Sequence, residues 1–423
     1  MTTNKIALLA VVVMSIGCNS FAGKPAETSL SNDAKLVACG NNCFALQLYQ
    51  KLQGQPGNLF FSPYSISTAL AMTYAGANGP TQAQMAEVLC LPTLKDVLQK
   101  LPAARAPMSR EEFAKAFGEI IKSLNERGGR GTYELRVANA LWGQEDYEFL
   151  APFAKLVKDQ YGGHLARVNF VTAAEKARRT INTWVEKQTN GKIKDLLGPG
   201  VLDSMTRLVL TNAVYFKGNW ANQFKKDQTE DGPFTLLDGG KVRVPMMNQK
   251  SRFGYAETDT LQVLEMPYVG GELSMVVLLP KEPAGIGELE KTLTQDSVSK
   301  WLSGVHRQEV IVTIPRFKMT HKFDMGAVLR SMGMTEAFSS QADFSGMTGH
   351  RDLFISAVIH QAYVDVNEEG TEAAAATGVT MRLTSMAPGK VPVFHADHPF
   401  IFLIRDIPSG SILFLGRVVN PQH

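Results

Sequence analysis

Val366-Asn-Glu-Glu-Gly-Thr-Glu-Ala-Ala-Ala-Ala-Thr377 is the stretch on which the reading of this chain turns. An apolar, β-branched run from Ala357 to Val366 leads straight into it. That run alternates as a strand does, with Tyr363 and Asp365 on one face and Val364 and Val366 on the other. Two carboxylates and a glycine interrupt it, and Thr371, Glu372 and four alanines follow. Beyond them, Gly378 to Lys390 is polar, carries proline and glycine, and has no helical stripe. Alanine and glutamate favour a turn of helix, and small residues equally suit a loop. Threaded into a sheet as a strand, the segment would turn Thr371, Ala373, Ala375, Thr377, Val379 and Met381 to one face. All six are uncharged and the first four are small, while Glu372 falls on the other face. Such a segment suits exposure in one state and burial in another.

Glu368, Glu369, Gly370, Thr371, Glu372, Ala373, Ala374, Ala375, Ala376 and Thr377 together resemble the hinge of the reactive-centre loop of the serpins, the serine protease inhibitor family. Other stretches resemble the family in the same order along the chain: Asn58 to Met72, Asn212 to Trp220, Pro315-Arg-Phe317, His398-Pro-Phe400 and Gly416 to Pro421. The resemblance implies an α+β fold over residues 35–423, a single domain with three β-sheets, eight or nine helices and an exposed reactive-centre loop at about 368–394. It implies an inhibitor rather than an enzyme. A target protease attacks the loop and forms an acyl-enzyme, and the loop then inserts into the main sheet and traps it. The alternative within the family is a non-inhibitory binding protein or chaperone, against which the small residues Ala373 to Ala376 argue.

The resemblance also implies site residues. Ser62, Ser65, Asn212 and His360 match a polar cluster under the main sheet, called the shutter. Trp220 matches a tryptophan where insertion begins. Counting fourteen residues on from Gly370 places the reactive bond at Thr384–Ser385, with Arg382–Leu383 as the alternative. Threonine there suits elastase-like or subtilisin-like serine proteases, Arg382 a trypsin-like one, and Leu383 papain-like cysteine proteases. Residues from about Pro388 to His395 read as extra slack in the loop.

The first 22 residues read as an export signal: Lys5 precedes the apolar run Ile6 to Met14, which is too short to span a bilayer. Ser15-Ile-Gly-Cys18 resembles a bacterial lipoprotein box with Cys18 as the lipidated residue, whereas Ser20-Phe-Ala22 resembles an ordinary cleavage site. Both endings stay open. Either way the protein is expected to be exported, extracellular or held at an outer membrane by a lipid, and the lipoprotein-like box suggests a bacterial member of the family. Residues 23–34 read as a flexible tether. Export permits disulfides. Cys39 and Cys43, four apart where the first helix is expected to begin, are expected either as a bridge or, with Cys90, as unpaired thiols.

The whole chain is ordinary for a soluble globular protein: 44% hydrophobic, 20% charged, with a net charge of +3. That charge points to neither nucleic acid nor an acidic membrane surface as a partner. A monomer is expected, with no cofactor and no metal. His395-Ala-Asp-His398 reads as a surface turn rather than a metal site. His350-Arg-Asp-Leu353 lacks the asparagine and the glycine-rich loop of a kinase. No G-x-S-x-G elbow and no phosphate-binding loop occurs. Helices are expected early and strands late. Ser109-Arg-Glu-Glu112 reads as a capping box, Thr81 as the cap of a helix from Gln82, and Leu208 to Phe216 as a strand buried on both faces.

Overall fold

Two serines start long helices, and the computed structural model, which describes residues 30–91, 108–371 and 391–422, places both. The Ser31 hydroxyl accepts a hydrogen bond from the Ala34 amide and opens α1 (Asn32–Leu52). Helix α1 therefore begins well before Cys43. It takes in part of the segment expected as a tether, because Ala34, Val37 and Ala38 are buried in the main core. Next come β1 (Leu59–Phe61), α2 (Pro63–Tyr74) and α3 (Gly79–Val88). Asn78, not Thr81, precedes α3. The Thr81 hydroxyl instead accepts from the Asp343 amide and tethers a distant segment. The expected capping box forms at α4 (Arg110–Gly128), where Ser109 and Glu112 each bond the other's amide.

The middle of the chain runs β2 (Tyr133–Gln144), α5 (Ala151–Tyr161), β3 (His164–Val168), α6 (Ala174–Gln188) and β4 (Leu208–Asn219). Then follow β5 (Thr229–Thr235), β6 (Lys241–Glu257), β7 (Leu261–Pro267), β8 (Leu273–Pro280), α7 (Ile286–Thr292) and α8 (Gln295–Ser303). The remainder is β9 (His306–Pro315), β10 (Phe317–Asp324), α9 (Gly326–Ser331), α10 (Ser345–Thr348), β11 (Ile355–Val366), β12 (Gly370–Thr371), β13 (Val393–His395), β14 (Phe400–Asp406) and β15 (Ile412–Val418). The described residues thus hold ten α-helices against the eight or nine expected, and the surplus comes from short pieces such as α9 and α10.

The strands form a six-stranded sheet, β10-β11-β12-β4-β2-β3, and a nine-stranded network, β1-β15-β14-β8-β7-β6-β9-β13 with β5 on β6. The long β6 divides that network. Its last residues pair with β7, while its earlier length pairs with β5 and β9. The two groups on either side of β6, with the six-stranded sheet, make up the three expected sheets, two of them joined through β6. The main core lies between the six-stranded sheet and β7, β8, β14 and β15, and a second core lies between its other face and α6. Strand β4 is buried on both faces because it sits between the two cores.

The cysteines pair otherwise than expected. Cys43 is bridged to Cys90, and Cys39 is a free, exposed thiol. Gly40, one turn before Cys43, makes this approach feasible: a side chain there would meet the Cys90 carbonyl oxygen at 2.8 Å. The bridge closes a loop spanning 47 residues. We expect Cys90→Ser to cost about 2–4 kcal/mol of stability and Cys39→Ser to cost almost nothing. Denaturant titration of the two variants, with free-thiol counting on the parent chain, checks both.

Candidate functional site

The site is a seam in the six-stranded sheet. Along most of its length β11 runs parallel to β4, with Ala357 facing Val209, His360 facing Asn212 and Tyr363 facing Tyr215. At one end β12 stands between them. Thr371 pairs with Val366 on β11 and with Gly218 on β4, antiparallel to both. The residues of the decisive stretch therefore begin a strand where the two neighbours part.

A tight turn brings β11 back into β12. The Asn367 amide donates to the Gly370 carbonyl at 2.8 Å, and the Gly370 amide donates to the Asn367 carbonyl at 3.2 Å. Gly370 is required by contact, since a Cβ there would lie 2.0 Å from the Gly218 carbonyl oxygen. The segment after β4 holds the turn from outside. The Trp220 and Phe224 amides donate to the Glu369 and Glu368 carbonyls, each at 2.9 Å, and the Trp220 indole donates to the Asn367 carbonyl at 2.9 Å. Glu368 is buried. Its carboxylate accepts from the Thr229 hydroxyl at 2.8 Å and faces the Arg316 guanidinium at 3.6 Å. Glu369 lies outside, paired with Lys226 at 2.7 Å, and that carboxylate raises the ammonium pKa. Thr371 points into the core. Its hydroxyl meets the Tyr268 hydroxyl at 2.8 Å, and the Tyr268 ring stacks on Trp220 with centroids 4.7 Å apart. Burial pushes the Tyr268 phenol pKa far up.

Farther down the seam a polar row crosses the sheet on its main-core face. His360 on β11, Asn212 on β4 and Asn139 on β2 lie side by side in register. The His360 Nε2 accepts from the Ser62 amide at 3.1 Å, so its Nδ1 carries the proton donated to Asn212 Oδ1. The Asn212 amide group donates to the Ser65 carbonyl at 2.8 Å, to the Ser65 hydroxyl and to Asn139 Oδ1. The Ser62 hydroxyl caps α2 and donates to the Leu413 carbonyl at 2.6 Å. Ser62, Ser65, Asn212 and His360 are wholly buried, which such partners make tolerable. Burial lowers the His360 pKa to about 3.

This geometry combines a closed seam, a strand begun at one end and a polar row beneath. The serpin (serine protease inhibitor) family model matches the chain over residues 39–421. The chain belongs to the serpin family. The leukocyte elastase inhibitor A of Mus musculus is 43% identical over 396 residues, covering 91% of this chain and 99% of that one. The leukocyte elastase inhibitor of Homo sapiens is 42% identical with the same coverage. Among solved structures, uncleaved ovalbumin matches with a TM-score of 0.76 at 33% identity, covering 91% of this chain and all of that one.

Within this serpin the structure brings Ser62, Ser65, Asn212 and His360 into one network and sets Trp220 against the turn at Glu368–Gly370. Glu372, Ala373, Ala374, Ala375, Ala376, Thr377, Arg382, Leu383, Thr384 and Ser385 lie outside the described residues, as does Cys18. Of the loop expected at about 368–394, residues 372–390 lie outside the described residues, and strand is found at both of its ends. Gly370 and Thr371 are already strand, and Val393 and Phe394, expected as slack, pair with Ile311 and Val312 on β9. The turn expected at His395–His398 reaches the surface at His395 and Asp397. His398 is buried, with Nδ1 and Nε2 each 2.7 Å from Asp397 Oδ1 and the Pro280 carbonyl. Asn139 was missed. Its signal was a lone amide inside the apolar run Val137-Ala-Asn-Ala-Leu141.

The polar row carries a pH signature. His360 stays neutral in the folded chain to about pH 3, whereas in the unfolded chain it takes up a proton near its ordinary pKa of 6.5. Its contribution is thus present above pH 6.5 and is lost as pH falls from 6.5 towards 3, at up to about 1.4 kcal/mol per pH unit. We expect His360→Asn to be less stable at pH 7.5 and to lack this part of the acid slope. Melting temperatures of both proteins between pH 7.5 and 4 test it.

Proposed function

We propose that this serpin is a suicide inhibitor of serine endopeptidases, with elastase-like enzymes as its principal targets. The observation that carries the reading is the register at the seam. Val366 and Gly218 both meet Thr371, and Tyr363 faces Tyr215 three residues down each strand. A strand continuing from Thr371 thus finds its two neighbours already level. They need only move apart sideways. By this register Ala374 falls between Tyr363 and Tyr215, and Thr377 falls between His360 and Asn212. Thr371, Ala373, Ala375 and Thr377 face the main core, where small uncharged residues fit.

The chemistry follows from that movement. The protease nucleophile attacks the Thr384 carbonyl, the Thr384–Ser385 peptide bond breaks with the nucleophile's proton passing to the departing Ser385 amine, and Thr384 is left as the acyl group on the enzyme. The freed loop enters the seam and exchanges one parallel ladder for two antiparallel ones, which are slightly more stable per residue. Fourteen residues at ~3.3 Å each carry the acylated protease roughly 46 Å. Counted in the same register, Met381 reaches the level of Leu208, where β4 begins, so an acyl bond at Thr384 emerges just past the sheet. This favours Thr384–Ser385 over Arg382–Leu383. Trypsin-like and subtilisin-like enzymes, and papain-like cysteine proteases through Leu383, are the wider set of targets. The names of the mammalian relatives favour elastase-like ones. The protein acts as a monomer.

Incubation with an elastase-like protease should yield a complex that survives boiling in detergent and a C-terminal peptide beginning at Ser385. A peptide beginning at Leu383 would overturn the count. Thr371→Arg places a charge where the Thr371 hydroxyl now meets Tyr268 and should be cleaved without forming the complex. A parent protein that is cleaved and released would instead support the non-inhibitory reading.

Lys5 and the apolar run from Ile6 to Met14 support export, with the protein extracellular or anchored at an outer membrane, as in a bacterial member of the family. The mass of the mature N-terminus decides between the two endings. A lipidated Cys18 gives an anchored protein, and Gly23 gives a free one.

A further inference from the structure

The face of the seam opposite the polar row carries a different contact. Tyr215 of β4 and Tyr363 of β11 lie directly across the seam, their ring centroids 6.1 Å apart. The Lys192 ammonium stands 5.8 Å from each centroid. One cation therefore touches both strands that insertion must separate. Lys192 is held in place from both sides. Its neighbour Ile193 is wholly buried in the second core, and the Asn190 amide group donates to Glu134 of β2 at 2.9 Å. Lys318 stands 5.2 Å from the Tyr363 ring, and among the described aromatic contacts it meets that ring alone.

We propose that Lys192 is a clasp across the seam, a positioning residue whose release helps set the rate at which the loop enters. The inference rests on the insertion reading and adds a rate-controlling group to it. A strand placed between β4 and β11 would add about 4.8 Å to the ring separation. An ammonium kept at its present height would then lie about 7 Å from both centroids, beyond the ~6 Å at which a cation and a ring face attract. The contact thus stabilises the closed seam and is absent from the inserted sheet. Losing it lowers the barrier to opening. Lys318 lies on β10, which pairs with β11, so its contact with the Tyr363 ring stays within two strands that move together and survives insertion.

The test uses the full chain and three variants, Lys192→Met, Lys192→Arg and Lys318→Met. A labelled synthetic peptide of residues 371–384 is the probe, and its rate of incorporation into the intact protein is the readout. The melting temperature of each protein, before and after cleavage of the loop, is measured beside it. Lys192→Met should take up the peptide about three- to tenfold faster. Lys192→Arg, which keeps a cation over the rings, and Lys318→Met should match the parent. If Lys192→Met matches the parent, or Lys318→Met speeds uptake as much, the clasp is refuted while insertion stands. If the cleaved parent melts no higher than the intact one, insertion itself fails and the clasp fails with it.

Discussion

The structure depends on a parallel ladder between β11 and β4 that stands where another strand fits. Each strand is buried, and each is paired over most of its length, so the closed sheet leaves few backbone groups unsatisfied. Parallel pairing is nonetheless the weaker arrangement. Both strands already accept an antiparallel neighbour at Thr371. The same backbone thus supports two arrangements, and the side chains around the seam decide which is held.

Three sets of side chains act on it. At the open end, Trp220, Tyr268 and the turn at Glu368–Gly370 fix the first two residues of the entering strand. On the main-core face, the His360–Asn212 hydrogen bond crosses the seam and would be interrupted by any residue placed between them. On the other face, α6 and the segment after it cover the sheet, with Lys192 over Tyr215 and Tyr363. The buried polar row gives the closed state direction as well as stability. Its donors and acceptors are matched only in this register, so a slipped pairing of β11 on β4 would leave several of them unpartnered.

Much of the fold was legible because it rests on local chemistry. The strand Ala357–Val366 was readable from its alternation, and Val364 and Val366 do enter the main core. The capping box at Ser109 was readable from four residues. The double burial of Leu208–Phe216 followed from its apolar character on both faces. Likewise, the uncharged row beginning at Thr371 said that this segment could enter a core, and Thr371 is in one.

Other features depend on partners distant in the chain. Thr81 looked like a cap, but its hydroxyl serves Asp343. Cys43 looked closest to Cys39, yet two residues one helical turn apart compete with any third brought alongside, and Gly40 brings Cys90 alongside. Asn139 was invisible because an amide in an apolar strand acquires meaning only when the register sets it beside Asn212. The sequence by itself determined which residues could line a seam: small and uncharged in the hinge, polar at Ser62, Ser65, Asn212 and His360. Only the tertiary structure decided that the seam is closed below and begun above. That outcome is set by the pairing of strands far apart in sequence, and hydrogen-bond register is a property of two strands together.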